Sequence, residues 1–258
     1  MKTICIMNLK GGVGKTITAT NLAAILAAKH GKRVLLVDAD HQGNTSAFFQ
    51  SDQETTTLSE ILRGDNEPYW ADNVQRTGYE GLDIVPGNMD LAALETGEAP
   101  YDRWHALHRL REFLLSAAED DAYDFAIIDM PPAFSTAAKA ALIAADEVIV
   151  PMKLDAFSVN GMAELFKQIA SMRKINSRLR LAGILITMWR NTEMVRQAER
   201  ILRGGSVPVY KTVIRRTDIV DESTYGSKPL YLYSPNCAAA VDYRRFATEY
   251  LEGSGGRG

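Results

Sequence analysis

The chain has 258 residues, of which 46% are hydrophobic and 24% charged, and its formal net charge at pH 7 is −3. This length allows one large α/β domain or at most two small ones, and the composition excludes a disordered or fibrous protein. Two cysteines without metal or disulfide spacing, no signal peptide and no apolar run of about 18 residues indicate a protein of the reducing cytoplasm that has no membrane span.

Strand-length apolar runs alternate with helical patterns along the chain. The predicted strands are residues 4–7, 34–37, 82–85, 125–128, 148–150, 181–186 and 209–214. The predicted helices are residues 16–29, 58–62, 103–118, 135–145, 159–175, 192–203 and 238–251. This alternation predicts a doubly wound α/β fold, with a mostly parallel sheet and helices on both faces. We expect one domain over residues 1–252 and a flexible Gly-rich tail over 253–258.

A glycine-rich segment lies between the first predicted strand and the first predicted helix. It reads K-G-G-V-G-K-T over residues 10–16. Glycines let successive backbone N–H groups curl around phosphate oxygens, and a helix N-terminus favours an anion. In this pattern Lys15 reaches the β- and γ-phosphates and the Thr16 hydroxyl holds Mg²⁺. The segment therefore predicts a nucleotide site, although Lys10 taken alone is equally explained as a solvated loop lysine.

Three aspartates follow predicted buried strands. Asp38 and Asp40 come after residues 34–37, and Asp129 comes after residues 125–128. The carboxyl ends of parallel strands form the ligand-binding edge of doubly wound folds, so these side chains are expected near the nucleotide. The structural alternative for Asp38 and Asp40 is capping of the following helix.

The positive charge is concentrated in one part of the chain. Eleven Lys or Arg and two acidic residues lie between Arg173 and Arg216, so the rest of the chain is acidic. Such asymmetry suggests a localised anion-binding face, whereas the simpler alternative is a set of solvated helix faces.

Taken in order, these segments resemble the ParA-type partition ATPases, within the wider family that includes MinD and the nitrogenase iron protein. The similarity also includes R-V-L-L-V-D-A-D-H-Q-G-N (33–44), Y-D-F-A-I-I-D-M-P-P (123–132), E-V-I-V-P-M-K-L-D-A-F-S-V-N-G (147–161), G-I-L-I-T-M (183–188) and V-Y-K-T-V-I-R-R (209–216). It covers nearly the whole chain. The resemblance implies a P-loop NTPase of the deviant Walker A class, which carries an additional signature lysine, with ATP and Mg²⁺ as cofactors.

The resemblance also implies roles for individual residues. Lys10 would reach across a homodimer into the partner's site, and Asp40 would orient or activate the attacking water. The implied catalytic residues are Lys10, Lys15, Asp38 and Asp40. The implied metal residues are Thr16, Asp38 in a supporting role, and Asp129 through water. The implied nucleotide-binding residues are Lys10, Gly11, Gly12, Val13, Gly14, Lys15, Thr16, Ile17, Met188, Ile214 and Arg216.

Three positions depart from the family pattern. Ile17 stands where the family usually has a second Thr, and His41 stands where it has Pro. Arg216 matches the arginine of the family's I-P-R segment, and Arg215 replaces its proline. The implied DNA-binding residues are Arg190, Lys211, Arg215 and Arg216.

By resemblance, the function is that of a cytoplasmic, nucleoid-associated ATPase. It would dimerise with ATP, bind double-stranded DNA without sequence preference, and segregate plasmid or chromosomal DNA with a ParB-like adaptor that stimulates slow hydrolysis. Two alternatives remain: the same switch positioning protein cargo, and a MinD-like ATPase that cycles on membranes. The second needs a basic amphipathic C-terminal helix, whereas Asp242 and Glu249 favour packing of that helix on the domain, so no membrane partner is expected. A metal-cluster protein is excluded because its bridging cysteine pairs are missing.

Overall fold

The computed structural model of the chain describes residues 1–51, 56–96, 102–155 and 158–255. Its strands form an eight-stranded sheet in the order β3-β4-β2-β5-β1-β6-β7-β8. The strands are β1 Lys2–Ile6, β2 Val34–Asp38, β3 Gln75–Arg76, β4 Leu82–Val85, β5 Phe125–Asp129, β6 Glu147–Lys153, β7 Arg180–Trp189 and β8 Val209–Arg215. Neighbouring strands are parallel except β3 and β4, which are antiparallel.

Helices cover both faces of this sheet. They are α1 Lys15–His30, α2 Asn44–Phe48, α3 Leu58–Arg63, α4 Trp70–Asn73, α5 Asp90–Thr96, α6 Arg103–Glu119, α7 Thr136–Ala144, α8 Ser158–Met172, α9 Glu193–Arg203, α10 Ile219–Tyr225, α11 Leu230–Tyr233 and α12 Ala238–Gly255. One hydrophobic core holds residues from α3, α5, α6, α7 and α8, and the core on the other face holds residues from α1, α2, α11 and α12. The predicted doubly wound α/β fold is confirmed.

The central strands explain why the sequence reads as continuous apolar runs. All five residues of β2 are buried. Leu35 and Val37 point into one core, and Val34 and Leu36 point into the other, because successive side chains of a strand face opposite sides of the sheet. A strand covered on both faces therefore has no polar face. Cys5 on β1 is buried in the same way, as expected for a small hydrophobic side chain.

The short elements were not predicted from the sequence. They are α2, α4, α5, α10, α11 and the two-residue β3. Helices of this length show no full apolar period and depend on tertiary packing rather than on propensity. The predicted short helix α3 is present and begins with a capping box between Thr57 and Glu60.

The last helix, α12, packs against the edge strand β8. Asp242 accepts hydrogen bonds from the Arg215 guanidinium, and Glu249 accepts from the backbone N–H groups of Lys211 and Thr212. These contacts agree with the expectation that the C-terminal helix packs on the domain. The helix continues to Gly255, into the segment expected to form a tail, and residues 256–258 lie outside the described residues. Among the described residues, no helix has the length and apolar character needed to cross a bilayer.

Candidate nucleotide and magnesium site

The glycine-rich loop joins β1 to α1 and borders open space. Gly12 and Gly14 have φ angles of 68° and 85°, in the left-handed region that glycine tolerates without a steric cost. A Cβ added at Gly11 or Gly12 would meet no other heavy atom within 4 Å. The cavity beside the loop has a volume of about 520 Å³, and its lining includes Gly11, Gly12, Gly14, Lys15, Thr16, Ile17, Asp40, His41, Gln42, Asn44, Pro132 and Met188. The loop can therefore accept a group against its backbone.

Contacts from outside the loop fix its shape. The Thr187 hydroxyl donates to the Val13 carbonyl at 2.8 Å, and the Lys10 N–H donates to Asn8 Oδ1 at 2.9 Å. Val13 is buried, so its side chain shapes the loop from behind. Gly14 caps α1 without any side-chain hydrogen bond, which leaves the first N–H groups of the helix suited to an anion.

Lys15 places a cation at this cavity. Its side chain is buried, and Nζ donates to the Lys10 carbonyl at 3.3 Å. Burial lowers the pKa of Lys15, and the nearby carboxylates of Asp129 and Asp40 oppose that change. A bound polyphosphate would oppose it further by adding negative charge.

Asp129 and Thr16 form an arrangement that fits a magnesium ion. The hydroxyls of Thr16 and Thr45 both donate to Asp129 Oδ2 at 2.7 Å. The other carboxylate oxygen, Oδ1, is buried and has no hydrogen-bond partner among the described residues. Mg²⁺ is commonly held by one or two protein oxygens together with waters and phosphates. A hydroxyl beside an unsatisfied carboxylate oxygen at the phosphate cavity provides those oxygens.

Asp38 lies next to Asp129 because β2 and β5 pair in register. The pairing sets Asp38 directly opposite Asp129. Asp38 Oδ2 accepts from the Ser46 N–H at 2.8 Å and its hydroxyl at 2.7 Å, and Oδ1 accepts from the Asp40 N–H at 3.2 Å. Burial raises the pKa of both carboxyls, and the charge of Asp129 raises that of Asp38 further. The geometry therefore ties Asp38 to the backbone of Asp40 and Ser46, and its predicted support of the Mg²⁺ shell stays a prediction.

Asp40 lines the cavity itself. Its Oδ1 accepts from the Gln42 N–H at 3.1 Å and lies 3.5 Å from His41 Nδ1. The carboxylate is thus at the edge of the open space that Lys15 also lines.

A second cavity, of about 160 Å³, adjoins the loop through Gly14. Its lining includes Ile17, Met188, Ile214 and Arg216, so the structure brings together four of the residues predicted to bind the nucleotide. Met188 has a φ of 51°, an uncommon conformation for a residue with a side chain and one that is often found at functional sites.

Lys10 makes an ion pair within its own chain. Its Nζ lies 2.6 Å from Oδ2 of Asp155, just after β6. The predicted reach of Lys10 into a partner's site therefore requires this contact to break.

The structure separates the residues predicted to bind DNA. Arg190 is exposed after β7, and the Arg216 N–H donates to the Trp189 carbonyl, which places both near the second cavity. The Arg215 guanidinium is paired with Asp242. Lys211 lies near the start of β8, in a different cavity, with Arg180 and Glu249. Lys211 therefore lies apart from Arg190 and Arg216, because it is near the start of β8 whereas they follow the ends of β7 and β8.

Several residues of the site were missed by sequence reasoning. They are Asn8, Thr45, Ser46, Asp155 and Thr187. Thr45 and Ser46 belong to the polar run that follows Asp40, and that run at a strand's carboxyl end was an available signal. The position of Asp155 after β6 was a similar signal, but its contact with Lys10 joins residues 145 positions apart and is not visible in the sequence.

Comparison with known proteins identifies the family. A family model described as an AAA domain matches residues 1–181. The chain is 36% identical over 256 residues to the chromosome partitioning protein ParA of Caulobacter vibrioides, and the alignment covers 97% of this chain and 94% of that protein. This chain belongs to the ParA-type partition ATPases. The predicted family is confirmed, and it is a family of P-loop ATPases.

One further relative supports this assignment, and one solved structure is similar in fold. The sporulation initiation inhibitor protein Soj of Bacillus subtilis is 35% identical, over 96% of this chain and 97% of that protein. A structure of cobyrinic acid a,c-diamide synthase from Mycobacterium smegmatis, with a bound ATP analog and magnesium, is 29% identical. It superposes with a TM-score of 0.80 over 99% of this chain and 96% of that one. The P-loop NTPase fold implied by the resemblance is thus confirmed.

Proposed function

We propose that this ParA-family chain binds ATP with Mg²⁺, dimerises around it, and uses slow hydrolysis to time its release from DNA. One observation carries the proposal. An open glycine loop, the Lys15 ammonium, the Thr16–Asp129 pair and the Asp40 carboxylate all border one cavity or directly adjoin it.

Each part of the cavity has a role in phosphoryl transfer. The N–H groups of residues 11–16 would bind the phosphate oxygens, and Lys15 would compensate the charge on the β- and γ-phosphates. Thr16 and Asp129 would hold Mg²⁺, which when bound neutralises charge on the phosphate oxygens. Asp40 would orient the attacking water, because in this chemistry the protein mainly positions groups and compensates charge.

Dimerisation would complete the site. Lys10 lies next to the loop but points to Asp155 within its own chain. In a dimer it would leave Asp155 and neutralise phosphate charge in the opposite site, so ATP binding and self-association would form one linked equilibrium.

The ATP dimer would then bind non-specific duplex DNA and be released by a ParB-like adaptor that stimulates hydrolysis. Of the four residues implied to bind DNA, Arg190 and Arg216 are exposed near the second cavity, and we propose that they contact DNA phosphates. We propose a cytoplasmic, nucleoid-associated protein that segregates plasmid or chromosomal DNA. A membrane-cycling role is not proposed, since Asp242 and Glu249 tie α12 to β8.

Sizing the protein with ADP and with ATP, each with and without a non-specific duplex, tests the proposal. The expected result is a monomer with ADP and, for Asp40→Ala with ATP, a stable dimer bound to DNA. Lys10→Ala should lose both ATP-dependent dimerisation and turnover. Intact dimerisation and turnover in Lys10→Ala would refute the shared-site dimer.

DNA contacts are tested separately by the salt dependence of the Asp40→Ala dimer. Binding through Z phosphates should weaken with the logarithm of salt concentration at a slope of about −0.9Z. Arg190→Glu should reduce the magnitude of that slope, whereas Lys211→Glu, near the start of β8, should change it less. Equal effects of the two variants would place the DNA surface elsewhere.

A further inference from the structure

His41 is a residue of the candidate site that the family pattern does not supply. It directly follows Asp40, at the position where the ParA family usually has proline. Its side chain is 37% exposed and lines the 520 Å³ cavity together with Asp40 and Lys15. By contrast, the imidazole of His105 on α6 is 73% exposed, as expected for a solvated histidine. The departure from proline therefore adds an imidazole to the wall of the phosphate cavity.

The imidazole contacts one side of the Asp40 carboxylate. Nδ1 lies 3.5 Å from Oδ1, the same oxygen that accepts from the Gln42 N–H at 3.1 Å. Within the described residues, the other oxygen of Asp40 accepts no hydrogen bond. Rotation of a carboxylate about its last bond is broad and roughly two-fold, so neighbouring donors decide which oxygen faces which way. The Gln42 N–H donates to Oδ1 and the imidazole lies against the same oxygen, which leaves Oδ2 for a molecule in the cavity.

We propose that His41 is a positioning residue for ATP hydrolysis: it holds the Asp40 carboxylate in the rotation that presents Oδ2 to the attacking water. This inference rests on the proposed ATPase function. The expected effect is on the orientation of the attacking water. A water molecule that Asp40 places well reacts faster, whereas the affinity for the nucleotide stays the same. Proline has no side-chain donor and cannot make this contact.

Substitution of His41 removes no backbone hydrogen bond among the described residues. Among the described residues, the His41 N–H donates no hydrogen bond, so His41→Pro removes the imidazole without removing a backbone bond. His41→Asn is the conservative variant, because the amide nitrogen of Asn occupies a position similar to Nδ1 and can donate to Oδ1.

Steady-state hydrolysis of Mg-ATP by the full chain tests the inference. His41→Ala and His41→Pro should lower kcat by about tenfold and leave KM within about twofold. His41→Asn should recover most of the kcat. His105→Ala is the matched control, since it removes another histidine paired with an aspartate, Asp102, at 2.8 Å. It should change neither constant, and all four variants should melt within a few degrees of the unsubstituted protein.

The outcomes separate this inference from the function on which it rests. If the unsubstituted protein hydrolyses ATP and His41→Ala or His41→Pro keeps its kcat, the positioning role is wrong and the ATPase stands. A change in KM alone, or a loss in His41→Asn as large as in His41→Ala, also overturns it. If the unsubstituted protein shows no hydrolysis that depends on Asp40, the proposed function fails and this inference fails with it.

Discussion

Lys10 and Asp155 form an ion pair that joins the phosphate loop to the loop after β6. The Lys10 ammonium lies 2.7 Å from Oδ1 and 2.6 Å from Oδ2 of Asp155, and the two side chains are 36% and 27% exposed. The lysine implied to act in a partner's site is therefore held within its own chain before any partner arrives. In the proposed dimer, contacts in the partner's site would replace this one.

Asp155→Asn should favour the ATP dimer. A partly exposed ion pair is worth about 0.2–1 kcal/mol, and each dimer breaks two, so the protein concentration for half-dimerisation should fall by about twofold to thirtyfold. Analytical ultracentrifugation with ATP in the Asp40→Ala background measures it. Asp65→Asn, which weakens an ion pair with Arg63 on the surface, should have no effect. An unchanged or weaker dimer in Asp155→Asn would show that the pair does not restrain Lys10.

Asp129→Asn should weaken magnesium-dependent nucleotide binding. Asp129 accepts the Thr16 hydroxyl and has a buried oxygen with no partner among the described residues, so the amide would replace a charged ligand by a neutral one. We expect ATP affinity with Mg²⁺ to fall by about ten- to hundredfold, and affinity in EDTA to change little. Titration of a fluorescent ATP analogue measures both. Asp83→Asn, on β4, is the control, and equal losses with and without Mg²⁺ would argue against a metal role.

Glu147 should contribute to stability in a pH-dependent way. Its side chain is 6% exposed and contacts Lys2, Arg180 and the Tyr250 hydroxyl. Burial alone would raise the pKa of Glu147, but hydrogen bonds from Tyr250 and Lys2, the charge of Lys2 and a hydrogen bond from Arg180 together lower it below the usual 4.5. A depressed folded-state pKa gives stability that is present above the unfolded pKa and is lost as pH falls through the folded one.

Urea denaturation of Glu147→Gln measures this contribution. The variant should be less stable by about 1–3 kcal/mol at pH 7. The difference from the unsubstituted protein should stay constant down to about pH 5.5 and shrink below about pH 4.5. A difference that grew with acidity would contradict the assigned partners.

Arg215→Ala should destabilise the fold. Arg215 makes three hydrogen bonds to Asp242, two of them from its guanidinium, and the Asp242 side chain is only 4% exposed. Loss of the guanidinium leaves a buried carboxylate short of donors, which should cost about 1–3 kcal/mol. Arg190→Ala, at an exposed position, should stay within about 0.5 kcal/mol. Chemical denaturation measures the free energy of unfolding of both variants. Similar stabilities would mean that the Arg215–Asp242 pair is weak.

The sequence was sufficient for the fold and for grouping the residues that line or adjoin the cavity beside the glycine loop. Strands such as β2 are buried on both faces, so their apolar runs are easy to recognise. The residue types and spacing of the glycine loop indicate a phosphate-binding motif. Asp38, Asp40 and Asp129 could be placed together because parallel strands end at one edge. Local pattern and sheet geometry carry this information without any knowledge of distant contacts.

What could not be predicted depends on pairings between distant residues. Nothing near Arg215 indicates that Asp242 neutralises it, and nothing near Lys10 indicates Asp155. The concentration of basic residues along the chain therefore grouped Lys211 with Arg190, although Lys211 lies near the start of β8 and Arg215 lies at its end. The effect of His41 likewise depends on the rotation of a neighbouring carboxylate, which residue type alone does not determine.

The anchoring of α12 has a consequence for how the chain avoids aggregation through its edge strand. β8 is an edge strand, and an uncovered edge is a template on which another molecule can add a strand. Glu249 accepts hydrogen bonds from two backbone N–H groups of β8, so the part of α12 around Glu249 protects this strand from pairing with another molecule. A protein shortened before Glu249 would keep its phosphate loop intact and still be prone to form insoluble assemblies.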